Sequence, residues 1–217
     1  MAADTSGKVG GVKFTTAAYM ATMLNDLSSP LALLTTRRSG KPRDMVAPGP
    51  DPNELDQILA IAARTPDHGK LNPWRFVTIA SDQREALAAL LLRALPEAGA
   101  GVGPAHIDKT LEFANQAPTL VVLISAPVAD HKIPLWEQQL SVGAVGMNLL
   151  LAAHAIGFVG GWITGWPAYS ERVRAALCGP GERVAGFFFL GTPGRELEER
   201  VRPAIAHVVR QWVPPTE

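Results

Sequence analysis

"LSVGAVGMNLLLAAHAIGFVGGW", residues 140–162, contains no Asp, Glu, Lys or Arg in twenty-three positions. A stretch of that length can cross a bilayer. Gly143, Gly146, Asn148 and His154 interrupt it, Gly160-Gly161 ends it, and no Lys/Arg cluster flanks it. A membrane span carries basic flanks and aromatic belts. A helix that is apolar all round is otherwise one buried at the centre of a protein. The segment therefore reads as a central helix, from Trp136 to about Ile156, running into a strand. In a chain of 217 residues, a helix this apolar implies that a second subunit covers one of its faces.

The rest of the chain alternates helical and strand signals. "SPLALLTTRRS" (29–39) is a helix with Ser29 as cap and Pro30 at its first position. "PNELDQILAIAAR" (52–64) is an amphipathic helix capped by Asp51. "WRFVTIA" is a strand, "SDQREALAALLLRAL" (81–95) a capped helix and "IDKTLEFANQ" another helix. "PTLVVLISA" (118–126) and "RVAGFFFLGTP" (183–193) are apolar runs of strand length, hence buried strands. "FVGGWITG" is a glycine-rich strand and "SERVRAALCG" a short helix. The count is about four strands and six or seven helices without strict alternation. That pattern predicts an α+β or three-layer fold with a mixed sheet. Residues 1–25 read as a flexible leader, or an arm that packs late, and 26–217 as one domain.

Composition excludes several classes. Twenty Lys+Arg balance twenty Asp+Glu, so there is no basic face to argue for nucleic acid. The single cysteine, Cys178, precludes an intrachain disulfide and fits a cytoplasmic location. It lies at a helix C-terminus, the wrong end of the dipole for a thiolate, and reads as structural. No GxSxG, Walker A or HExxH motif occurs. The five histidines show no i,i+3 or i,i+4 pairing, so metal-site spacing is missing. His154 reads as a satisfied core or interface histidine. The glycines at 99, 101 and 103 follow helix rather than strand, which argues against a dinucleotide fingerprint.

Two features remain unexplained. Arg37-Arg38-Ser39-Gly40-Lys41 follows a helix in a Gly/Pro-rich loop. Guanidinium groups, a hydroxyl and exposed backbone N–H groups are a phosphate-binding set. "TPDHGKLNPWRF" (65–76) packs polar, basic and stiff residues where a helix-to-strand connection needs a turn residue or two. With the glycine strand, which lets a backbone approach a flat ring, these suit a ligand with an anionic tail and a planar polar ring.

Four stretches, in order, resemble the FMN-dependent nitroreductase family, in particular its compact branch of small NAD(P)H nitroreductases: "RRS" (37–39), "RTPDHGKLNPWRF" (64–76), "WEQQLSVGAVGMNLLLAAHAIGFVGGWITG" (136–165) and "FFFLGTP" (187–193). The resemblance spans residues 29–213. It implies a three-layer α-β-α homodimer with FMN at the interface and NADH or NADPH as electron donor. It assigns Arg37 and Ser39, with Arg38 beside them, to the FMN phosphate, and Lys41 to the pyrimidine edge of the ring. Arg64 and His68 belong to the FMN site, one subunit's loop reaching the cofactor bound mainly by the other. Asn72 stands where the branch often has Gln. Trp162 and Thr164 carry over from the glycine strand, whereas Ile163 replaces an arginine usual there. Arg200 and Arg202 match a C-terminal basic motif that completes the phosphate site. The implied chemistry is ping-pong hydride transfer through flavin N5 to a nitroaromatic, quinone or similar small electrophile, with no side chain needed as acid or base. Alternatives are a flavin reductase, a dehydrogenase of an unsaturated metabolite, a non-catalytic FMN-binding or sensor protein, and a structural dimer without cofactor.

Overall fold

In the computed structural model, residues 23–99 and 101–215 are described. Residues 1–22, most of the expected leader, lie outside the described residues. Asn25, the last residue of that leader, is tied to residues 36 and 38. Asn25 donates through Nδ2 to the Arg38 carbonyl (3.1 Å) and accepts from the Arg38 N–H (2.7 Å), and its own N–H donates to the Thr36 carbonyl (3.1 Å).

The elements, in order, are α1 (Pro30–Thr36), β1 (Met45–Val46), α2 (Pro52–Ala62), β2 (Trp74–Ile79), α3 (Arg84–Ala94), α4 (Pro104–Asn115), β3 (Thr119–Ser125), α5 (Leu135–Ala155), β4 (Val159–Ile163), α6 (Glu171–Leu177), β5 (Arg183–Pro193) and α7 (Ile205–Val208). Helix starts follow the predicted chemistry. Ser29 caps α1 by accepting from the Ala32 N–H, and Asp51 with Glu54 forms a reciprocal capping box on α2. The charged C-terminal stretch forms only the one turn of α7, and residues 201–215 are exposed throughout.

β5 organises the sheet. It pairs with β3 along one side and with β4 and β1 on the other, and β2 pairs with β3. All four pairings are antiparallel. The α+β class holds, but the mixed sheet expected from the sequence is corrected. β3 and β4, joined by α5, do run parallel to one another, as a crossover requires. β5, the last strand in the sequence, inserts between them and converts both contacts to antiparallel ones.

Side-chain alternation along the strands divides the core between two faces. Leu120, Val122, Ile124, Phe187 and Phe189 face Leu87, Leu91, Ala94 and Ala114 of α3 and α4 and Val173 of α6. Val121, Leu123, Phe188 and Leu190 face Ile58 and Ala62 of α2 and Val142, Val145, Leu149 and Ala153 of α5. These two cores give the three layers. Phe113 of α4 meets Phe187 and Phe189 edge to face, with centroids 5.2 and 5.4 Å away. Among the described residues no helix is long and apolar enough to cross a membrane. α5 packs on the sheet along one side and leaves Leu135, Trp136 and Leu140 more than half exposed along the other.

Candidate functional site

The loop after α1 lies along β4. The Gly40 N–H donates to the Gly160 carbonyl (3.2 Å). A Cβ on Gly161 would stand 2.8 Å from the Gly40 carbonyl oxygen and 3.3 Å from the Pro42 ring. Gly161 therefore permits the close approach of this loop, whereas a Cβ on Gly160 would meet the Leu150 and Leu190 side chains of the core.

A cleft of about 690 Å³ opens beside this seam, within the range of small-molecule and cofactor sites. The loop supplies Arg37, Arg38, Ser39, Lys41 and Arg43; β4 supplies Gly161, Trp162 and Ile163; α5 supplies Met147 and Leu150. Lys109, Glu112 and Phe113 of α4, Gln116 just past its end and Arg200 from the C-terminal segment complete it. Six cationic side chains thus border the cleft with one carboxylate, that of Glu112.

At the basic end, Arg37 Nη1 donates to Ser39 Oγ (3.3 Å). Arg38 is held by Nε donation to the Glu198 carbonyl (2.6 Å) and Nη1 donation to the Ser39 carbonyl (3.1 Å). Arg202 donates through Nη2 to the Arg37 carbonyl (3.3 Å) and to Glu199 Oε1 (3.1 Å). Lys41 is 3.8 Å from Glu198 in an exposed pair. Burial, then the neighbouring Arg202 and Arg38, pull the Arg37 pKa down against the opposing pull of Glu199. An anion seated here would relieve that crowding.

Trp162 forms the wall. Its Nε1–H donates to the Ala185 carbonyl (3.1 Å), which lies at the register shift where β5 bulges against β3. Bulges free a backbone group from the ladder and re-aim side chains. The indole packs on Phe188 with centroids 4.9 Å apart, and it lies close over Gly146 of α5, where a Cβ would approach it to 3.0 Å. A third of its surface stays exposed.

The structure therefore unites Arg37, Arg38, Ser39, Lys41, Trp162 and Arg200 around one cleft, with Arg202 attached through Arg37. Thr164 does not line it, whereas Ile163 does. Arg64, His68 and Asn72 do not line the cleft of their own chain. His68 Nδ1 pairs with Glu137 Oε2 at 2.7 Å near the start of α5. Asn72 adopts a positive φ of 48° and donates its N–H to Asp67 Oδ2 (2.7 Å). The α4 side chains were missed from sequence, because an amphipathic helix carries no local signal of what its exposed face borders. Among the described residues no group of His, Cys, Asp and Glu is arranged for a metal ion. The Cys178 thiol is held above its usual pKa, chiefly by burial, consistent with a structural residue.

Fold and site together define a three-layer α+β protein with a cleft that combines a basic loop with apolar side chains and an aromatic wall. The chain belongs to the nitroreductase family, whose profile matches residues 34–192. It is 35% identical over 164 residues, covering 75% of this chain and 87% of the other, to an Escherichia coli K12 protein named "Putative NAD(P)H nitroreductase YdjA". Its fold matches that of a nitroreductase-like family protein from Bacillus cereus, with TM-score 0.72 at 18% identity, covering 85% of this chain and 96% of that one. It also matches a Desulfovibrio desulfuricans protein described as "a putative nitroreductase in complex with fmn", with TM-score 0.59 at 18% identity, covering 80% of this chain and 91% of that one.

Proposed function

We propose that this protein is an FMN-dependent NAD(P)H oxidoreductase that reduces small electrophilic acceptors such as nitroaromatics or quinones, working as a homodimer. The observation that carries the reading is the convergence of Arg37, Arg38, Ser39 and Arg200 at a cleft walled by Trp162. FMN fits this set: the basic loop would hold its phosphate, and Trp162 and Met147 would offer an apolar wall to its ring. The E. coli relative's name and the FMN-bound neighbour support the same cofactor and donor.

When bound, FMN supplies the two-electron relay between nicotinamide and acceptor, by ping-pong hydride transfer through its N5. The chain's own residues bind and orient. Arg37 and Ser39 hold the phosphate, Arg38 and Arg202 brace Arg37 and its loop, and Lys41 offers positive charge to the ring's polar edge. The glycine seam keeps the loop against β4. Arg64, His68 and Asn72 reach the cleft of the second subunit, which explains why they stand apart from the cleft of their own chain. The unpartnered side of α5, with Trp136 and Leu140 exposed, is the face the second subunit covers.

Purified protein tests this directly. A flavin absorption spectrum, FMN released at about one per chain by mass spectrometry, and acceptor-dependent NADH or NADPH oxidation are expected. A protein that takes up no FMN refutes the reading. Bound FMN that neither nucleotide reduces would instead favour a sensor.

A further inference from the structure

His154 is fully buried near the end of α5, at 1% exposure, and none of the site assignments uses it. Its Nε2 accepts the Gly160 N–H (3.2 Å). The Gly160 carbonyl, on the same residue, accepts the Gly40 N–H. One relay of two hydrogen bonds thus runs from the core of α5 through β4 into the loop that carries Arg37, Arg38 and Ser39. The other ring nitrogen, Nδ1, is buried without a hydrogen-bond partner, alone in this among the buried side-chain polar atoms of the described residues. A buried polar atom left unpaired is destabilising, so an imidazole is a poor choice for packing alone. Its acceptor nitrogen is what this position uses.

We infer that His154 is a positioning residue for the phosphate-binding loop: as the neutral Nδ1–H tautomer it fixes Gly160, and through Gly160 the backbone of Gly40, so that Arg37 and Ser39 are set for the FMN phosphate. A ring protonated at both nitrogens cannot accept from Gly160 and would add a second positive charge facing Arg37. Burial first, and Arg37 second, hold the imidazole neutral, with its pKa at about 4.

This inference rests on the FMN reading, and the test separates the two. FMN and riboflavin differ only in the phosphate, so the ratio of their affinities reports the loop. In wild type, FMN binds more tightly. In His154→Leu the ratio falls by about tenfold or more, the scale of one lost orienting contact, while riboflavin affinity stays within about threefold. His154→Gln, whose amide oxygen can accept from Gly160, restores most of the ratio. A merely structural role lowers both affinities together, leaves the ratio unchanged in His154→Leu and overturns the inference alone. Wild type that binds neither flavin overturns the cofactor reading as well. The tautomer is measured on wild-type protein by ¹⁵N NMR of the histidine rings, independently of how the variants fold. A neutral ring with unprotonated Nε2 supports the inference, and an Nε2–H or doubly protonated ring at neutral pH overturns it.

Discussion

Replacing Arg84 by leucine should destabilise the protein without touching the cleft directly. Arg84 is the first residue of α3 and is almost fully buried, at 6% exposure. Its guanidinium donates to the carbonyls of Ala114 (2.9 Å) and Gln116 (3.3 Å), and more distantly to those of Ile79, Ala117 and Pro118 at 3.4 to 3.5 Å. It therefore binds the C-terminal end of α4, where carbonyls lack helical partners and a positive charge opposes the dipole. The short bond to Ala114 is charge-assisted and worth about 1.5–3 kcal/mol. Its loss leaves a carbonyl on a residue with no exposure, a further cost of about 1–3 kcal/mol. Burial of the guanidinium, which pulls its pKa down, offsets part of this in the wild type. The net loss in Arg84→Leu should be about 2–4 kcal/mol. Arg84→Lys, with one compact ammonium, should lose about half as much. Urea unfolding at fixed protein concentration measures both. A loss below about 1 kcal/mol in the leucine variant would refute the claim that Arg84 holds α4 in place.

Three further perturbations probe the site and its supports. Arg37→Gln removes a cation of the phosphate set and should weaken FMN binding by about 30- to 1,000-fold, the scale of a charge-assisted bidentate contact, in a flavin fluorescence titration. Gly161→Ala places a methyl 2.8 Å from the Gly40 carbonyl and must push the loop off β4; about tenfold weaker FMN binding with a stability loss of about 1–3 kcal/mol is expected. The depressed His154 pKa makes stability pH-dependent. Above pH 6.5 the ring is neutral in both states and contributes no pH dependence. Between 6.5 and about 4 the unfolded chain alone takes the proton, so stability falls with pH. The loss totals about 3 kcal/mol by the bottom of that window, and His154→Gln should flatten this part of the profile.

Strong local signals made much of the fold legible. The run Leu120–Ile124 is a strand because nothing in it faces water, and Ser29, Asp51 and Ser170 mark helix starts by capping chemistry. The strand order was not legible, because β5 pairs with β3 residues 58 to 71 positions away and carries no local label for them. At the site, the family pattern pointed to the 37–41 loop and Trp162. It could not reveal that Ala185 anchors the indole, that Asn25 holds the loop from behind, or that α4 forms a wall. Those contacts join residues whose sequence neighbourhoods say nothing of each other. The loop at 64–76 is the converse case, conspicuous in sequence yet absent from the lining of the cleft in its own chain.

β5 also governs the order of events during synthesis. It is the strand on which β1, β3 and β4 all depend, and its last residue is Pro193. As the chain leaves the ribosome, β2 and β3 can pair across the α3–α4 excursion, but β1 and β4 wait without a partner until β5 has emerged. The loop bearing Arg37 and Arg38 waits with them. Residues made early can bind nothing until residues made more than a hundred positions later have closed the sheet beside them.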